Sequence, residues 1–291
     1  MDTQLLKAFV TVASTGSFSD AAQTLHITQP AVSKRITALE QQINCLLFDR
    51  ANRTISLTEA GRALLPRAHS ILKQLDEAQR VLSDLKGTVA GELKLTTSHH
   101  IGLHHLPKYL KRFTDKYPEV RLSLNFQDSE IALNQVLQGE TELAVITLAQ
   151  NTHPKLTETL VWEDPLQFVV APNHPLAQED SLSLINLSQY PAILPELNTY
   201  TTSLVSELFN QHQLPLELRM ATNYLETIKM MVTIGLGWSL LPETLLTDSE
   251  LKTLSVNSVH VHRRLGLIHH KDRSLSNASQ AFLKLFSDKN V

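Results

Sequence analysis

The sequence is short of several things, and each scarcity excludes a class of protein. Cysteine occurs once in 291 residues, at Cys45. One thiol cannot form an intramolecular disulfide or a cysteine-rich zinc centre. It follows Asn44 and precedes the apolar pair Leu46-Leu47, which predicts a buried thiol and not a redox sensor. No uninterrupted apolar run approaches the roughly 18 residues of a membrane span. The opening MDTQLLKAF has no basic segment followed by an apolar core, so no signal peptide is expected, and the protein reads as soluble and cytoplasmic with no membrane partner. Catalytic signatures are missing as well. Gly235-x-Gly237 lacks a third glycine, and there is no Gly-x-Ser-x-Gly elbow, phosphate loop or His-Glu-x-x-His. Catalysis is not expected.

What is present centres on Ser17 to Gln42, SFSDAAQTLHITQPAVSKRITALEQQ. Ser17 suits the N-cap of a short helix, with Asp20 three residues on. Phe18, Ala21, Ala22 and Leu25 then fall on one helical face. His26-Ile27 breaks the pattern, and Thr28 is placed to cap a second helix whose first turn tolerates Pro30. There Val32, Ile36, Leu39 and Ile43 form an apolar stripe, with Lys34 almost opposite it. Gln29, Pro30, Ser33, Thr37 and Gln41 fill the remaining surface. A face of Gln, Ser, Thr and Lys offers donors and acceptors for base edges and a cation for a phosphate. This is the pattern of a helix-turn-helix with its recognition helix second. Alone, it also fits an ordinary helical hairpin with a solvated face.

Ala21-Ala22, Leu25, the run from Thr28 to Ser33, Leu39-Glu40, Leu47-Phe48-Asp49-Arg50 and Thr58-Glu59-Ala60-Gly61 together resemble the N-terminal signature of LysR-type transcriptional regulators. The resemblance extends over nearly the whole chain. It implies a multidomain protein: an α-helical winged helix-turn-helix, a dimerising linker helix, and an α/β effector domain of two Rossmann-like lobes resembling periplasmic binding proteins. The implied partners are double-stranded DNA, a small organic effector, RNA polymerase and further copies of the chain, as a homodimer and homotetramer. No cofactor beyond the effector is implied.

The charge balance constrains how such a protein would hold DNA. Residues 1–87 carry 10 Lys and Arg against 8 Asp and Glu, and the remainder carries 16 against 21. Affinity must come from placed cations and from dimerisation, not bulk charge. Around the reading head, residues 2–14 read as a helix with Leu6, Phe9, Val10 and Ala13 inward. Asn44 stands where the family usually has glycine, and it suits a left-handed helix stop. Residues 46–57 read as a hairpin with Ala51-Asn52 near its tip, which resembles the wing. Arg53 and Asn52 there are placed for the flanking backbone or minor groove. Candidate DNA contacts are therefore Thr28, Gln29, Pro30, Ser33, Lys34, Arg35, Thr37, Arg50 and Arg53.

From Thr58 to about Lys86 a long helix is expected. Leu64, Ala68, Ile71, Leu75, Ala78, Leu82 and Leu85 step by four and three, an unbroken heptad seam for a partner helix. The expected division is 1–58 for the DNA-binding domain, 59–87 for the linker helix and 88–91 for a hinge. One lobe comprises 92–161 with 266–291, and the other 162–265. Beyond Gly91, strands and helices alternate, which argues for parallel sheets covered by helices.

In open α/β sheets ligands sit beyond the carboxyl ends of strands, against helix N-termini. Those ends supply Ser98, His99 and His100, then Asp128 and Thr147, from the first lobe. The second lobe supplies Leu197, Asn198, Thr199, Tyr200, Asn223 and Trp238. Ser98, Thr147 and Thr199 suit a carboxylate, and His99 or His100 would add charge, so a small anionic organic acid is the expected effector. Ser98 to His104 and Asn223 to Met231 resemble a LysR subgroup associated with leucine-biosynthesis neighbourhoods, which would suit a branched acid. His100 and His104 are four apart, a chelating spacing. No cysteine accompanies them and no carboxylate is near in sequence, so no metal site is assigned. A transport-type solute-binding protein would explain the lobes but not the head; a constitutive DNA-binding protein would explain the head and leave the cleft idle.

Overall fold

The computed structural model describes residues 2–49, 55–84, 87–179, 181–247, 249–257 and 259–287. The chain divides into two compact units, Met1–Lys86 and Gly87–Val291.

In the first unit, α1 (Thr3–Thr15), α2 (Phe18–Thr24) and α3 (Gln29–Ile43) precede a short antiparallel pair, β1 (Phe48–Asp49) with β2 (Ser56–Leu57), and then α4 (Glu59–Asp84). Ser17 caps α2 by accepting the Asp20 N–H at 3.2 Å. Thr28 occupies the N-cap position of α3, but its side chain makes no capping bond. Asn44 ends α3 at φ 52°, the left-handed stop expected of it. The predicted inward residues do form one core, with Leu6, Phe9, Ala21, Val32, Ile36 and Leu39 buried against Leu47 and Phe48.

Two polar contacts lock this head. Buried Glu40 accepts the Leu47 N–H at 2.8 Å and the Phe48 N–H at 3.4 Å, tying the end of α3 to β1. Thr58 donates to the Leu46 carbonyl at 2.7 Å and accepts the Gly61 N–H at 3.0 Å, which caps α4. Gly61 itself passes so close to Leu47 that a Cβ would lie 2.3 Å from its carbonyl oxygen. Cys45 is exposed and not buried as expected. It lies just after the left-handed stop, where Leu46 is exposed too and Leu47 is the residue that turns inward. Arg50, Arg53 and the tip residues Ala51-Asn52 lie outside the described residues.

The second unit opens with β3 (Gly91–Thr97), α5 (His99–His104), α6 (Pro107–Lys116), β4 (Val120–Phe126), α7 (Ser129–Gln138), β5 (Leu143–Thr147) and the long β6 (Leu156–Val170). It continues through α8 (Leu184–Ser188), β7 (Ala192–Leu194), α9 (Tyr200–Gln211), β8 (Leu218–Ala221) and α10 (Leu225–Thr233). It closes with β9 (Ser239–Pro242), β10 (Lys252–Leu254), β11 (Val261–His270) and α11 (Asn277–Ser287). Residues 99–116 do not form one helix. Two are found, because Pro107 starts a new helix and cannot continue the old one.

Strands β3, β4 and β5 are mutually parallel, whereas β11 runs antiparallel to both β5 and β6. Strand β6 runs unbroken from Leu156 to Val170, and β11 returns along it. This antiparallel ribbon links two separate cores. One gathers Leu93, Leu95, Phe113, Val145 and Phe282 (lobe 1), the other Phe168, Leu194, Phe209, Trp238 and Leu240 (lobe 2). Helix α11 is pinned to lobe 1 by Glu142, which accepts from the Ser276 N–H and from the hydroxyls of Ser276 and Ser279 at 2.7–3.0 Å.

Candidate functional site: a reading helix and an interlobe cleft

On α3 the stripe Val32, Ile36 and Leu39 is fully buried, which fixes what faces outward. Thr28, Gln29, Pro30, Lys34 and Thr37 are exposed, and Ser33 and Arg35 half-buried. Among the described residues, the side chains of Gln29, Ser33, Lys34, Arg35 and Thr37 make no hydrogen bond or ion pair. Their donors and acceptors remain available, as direct base readout requires.

In the second unit a cavity of about 290 Å³ opens between the lobes. The first turns of α5, α7 and α9 and the start of α10 converge on it through His99, Ser129, Tyr200 and Leu225, so the N-terminal ends of four helices face one space. Of the expected residues, Ser98, His99, His100, Asp128, Thr147, Thr199, Tyr200 and Asn223 line this one space. Leu197 and Asn198 are exposed and away from its wall. Trp238 is fully buried in the core of lobe 2, its indole N–H donating to the carbonyls of Leu187 and Tyr190. It is too large and apolar to stay at the strand end. A second cavity of about 740 Å³ is lined along the body of α9 by Ser203, Leu204, Glu207 and Leu208. It lacks the converging helix N-termini of the smaller one.

Hydrogen bonds cross the smaller cleft. Glu130 of α7 accepts the Tyr200 N–H of α9 at 2.8 Å, and Asp128 accepts from Asn223 Nδ2 at 2.8 Å. His104 Nε2 lies 3.2 Å from Glu226 Oε1, and His100 Nε2 lies 3.3 Å from the Thr244 hydroxyl. Burial raises the Glu130 carboxyl above its ordinary value, opposed by the backbone N–H groups it accepts. Burial, with Arg263 and neighbouring histidines behind it, pushes His100 down to about 2. His100 therefore stays neutral and supplies no charge, contrary to expectation. Arg263 reaches the cleft wall, but its Nε and Nη2 are paired with buried Asp164.

Profiles of two families match this chain: "Bacterial regulatory helix-turn-helix protein, lysR family" over residues 3–62 and "LysR substrate binding domain" over residues 86–290. The chain belongs to the LysR family. The HTH-type transcriptional activator CmpR of Synechocystis sp. (strain ATCC 27184 / PCC 6803 / Kazusa) is 32% identical over 282 residues, covering 95% of this chain and 92% of its own. An uncharacterized HTH-type transcriptional regulator in the ibpB-leuC intergenic region of Azotobacter vinelandii is 63% identical over 107 residues, 37% of this chain and 74% of that one. Full-length CbnR complexed with its target DNA shares the fold, with a TM-score of 0.72 over 99% of each chain at 20% identity.

This LysR-type protein is thus a DNA-binding transcriptional regulator with a small-molecule effector-binding domain, and not an enzyme. No helix among the described residues is long and apolar enough to cross a membrane. Several residues on the cleft wall of the LysR domain escaped the sequence reading. Glu130 sits two positions beyond the nominated Asp128, on the same helix start. Tyr224 directly follows the nominated Asn223. Arg263 carried no local signal, because its place on the wall comes from the return of β11 beside β6.

Proposed function

We propose that residues 1–58 read DNA through α3 and that the cleft between lobes 92–161 with 266–291 and 162–265 binds the effector. In this reading Gln29, Ser33, Lys34 and Thr37 face the major groove, with Arg50 and Arg53 on the flanking backbone. Residues 59–87 pair two chains. The support is the outer half of α4, where Ile71, Ala78 and Leu82 of the heptad seam are exposed while Ala68 nearer the head is buried. Residues 88–91 form the hinge, with Gly87 and Gly91 at positive φ. Action on RNA polymerase at the same promoter completes the role.

One observation carries the effector reading. The N–H of Tyr200 and the amide of Asn223, which an incoming carboxylate would claim, are held by Glu130 and Asp128 of the other lobe. A bound acid competes with these two carboxylates, and the lobes shift their preferred arrangement. Asp128, Glu130 and Glu196 all line the space, so the fitting ligand is a compact organic acid that also carries hydroxyl or ammonium donors. Ser98, Thr147 and Thr199 provide the neutral partners.

DNase footprinting on the upstream region of its own gene, with and without a panel of hydroxy and amino acids, tests this. A two-part footprint that shortens or shifts with one acid is expected. A footprint indifferent to all of them would remove the ligand class; no footprint on any upstream DNA would remove the assignments on α3.

A further inference from the structure

The geometry points to a divalent transition-metal site that joins the two lobes through His100, His104 and Glu226. His100 and His104 stand one turn apart on α5, their ring centroids 4.8 Å apart. Glu226 comes from the first turn of α10, 122 positions after His104, and brings Oε1 within 3.2 Å of His104 Nε2. One ligand atom from each of the three lies within 4.8 Å of the others. A tetrahedral zinc ion with bonds near 2.1 Å spaces its ligands about 3.4 Å apart. The three groups therefore need only small side-chain rotations to meet one ion.

His100 provides the second observation. Its side chain is 4% exposed, and its Nδ1 is buried without a hydrogen-bond partner among the described residues. Its other nitrogen lies beside the Thr244 hydroxyl. A metal-ligating imidazole has this division of labour, with an outer group orienting one nitrogen and the ion taking the other. Two imidazoles and a carboxylate suit zinc and its first-row neighbours, and they leave a fourth position for water.

A rival set, His100 with His105 and Asp164, has the same spacing. There the Asp164 carboxylate is already occupied by the guanidinium of Arg263. Glu226 has no such cation on it among the described residues, its one ion-pair partner being His104 itself. Sequence spacing showed the two histidines but not the carboxylate, which only the closure of lobe 2 against lobe 1 supplies. The site shares His100 with the wall of the interlobe cavity, but its ligand set needs no organic effector.

The test is zinc alone, titrated into chelator-treated, tag-free full-length protein in competition with a chromophoric chelator. One ion per chain is expected, together with a rise in Tm of the effector domain. His104→Ala and Glu226→Gln, both at partly exposed positions, should each weaken binding by more than about tenfold and abolish the Tm rise. His262→Ala, a histidine outside the cluster, should leave both unchanged. Absence of binding at micromolar zinc, or binding that survives both His104→Ala and Glu226→Gln, overturns the site.

Discussion

Two carboxylates in this molecule do the same chemistry in different settings. Glu40 accepts the Leu47 and Phe48 N–H groups, and Glu130 accepts the Tyr200 N–H. Glu40 is buried, and its partners belong to the same small core. Glu130 reaches across the cleft to a helix of the other lobe. The first contact breaks only when the head unfolds, whereas the second is lost whenever the lobes part. A carboxylate on backbone N–H groups is thus a structural rivet in one place and an exchangeable latch in the other. Local context decides which, because Glu40 is enclosed by its own core while Glu130 lines an open cavity.

The largest effect should come from breaking the rivet. Glu40→Ala leaves two backbone donors of a buried segment without their acceptor and is expected to destabilise the head by about 3 kcal/mol. Hydrogen exchange at the Leu47 and Phe48 amides in the full chain measures it, and unchanged protection would show that the contact carries little.

Next in size is a residue engaged with nothing. Lys34 is exposed and unpaired among the described residues, so Lys34→Ala should leave Tm unaltered. Operator affinity should fall about tenfold, and the slope of log K against log salt should drop by about two for a dimer contacting DNA with both heads. Loss of affinity with an unchanged slope would assign Lys34 to base readout instead of phosphate.

The latch can be altered without being removed. Glu130→Gln keeps an oxygen for the Tyr200 N–H and deletes the charge that burial already disfavours. Stability should change little, and affinity for the acid identified by footprinting should rise severalfold, up to about tenfold. A lower affinity would mean that Glu130 grips a cationic group of the ligand.

The contrast between head and cleft also explains what could be read in advance. The head is built from contacts between residues close in sequence, so spacing alone located α1 to α3, the left-handed stop at Asn44 and the outward face of Lys34. The cleft joins positions far apart; spacing located its strand ends and wall residues such as Ser98, Thr147 and Asn223, but not the residues brought to it by the return of distant elements. Trp238 carried the same strand-end signal as Ser98, yet it is drawn into the core of lobe 2 by Phe168 and Phe209. Arg263 reaches the cleft because β11 returns beside β6, and Glu226 meets His104 because α10 comes up to α5. Cys45 failed for a different reason. Its apolar neighbours predicted burial, but a one-residue shift after Asn44 gave the inward place to Leu47.

The smallest effect separates a titrating contact from both carboxylates. His174 Nδ1 accepts the Leu176 N–H at 3.2 Å and begins the turn Pro175–Gln178, and burial lowers its pKa from 6.5. The unfolded chain therefore binds the proton more tightly than the folded one, so this contribution is complete above pH 6.5 and fades as pH falls toward the folded value. Protonation also removes the acceptor, a loss on the order of 1 kcal/mol or less. His174→Asn keeps a capping oxygen and cannot titrate. Urea midpoints for the effector domain in the full chain, taken from pH 7.5 to 5.5, should fall less steeply in the variant than in the parent. Burial lowers His100 and His105 in both proteins, so the difference between the two curves isolates His174. Parallel curves would show that this turn is held by its packing, with buried Leu176 as the anchor and the imidazole a bystander.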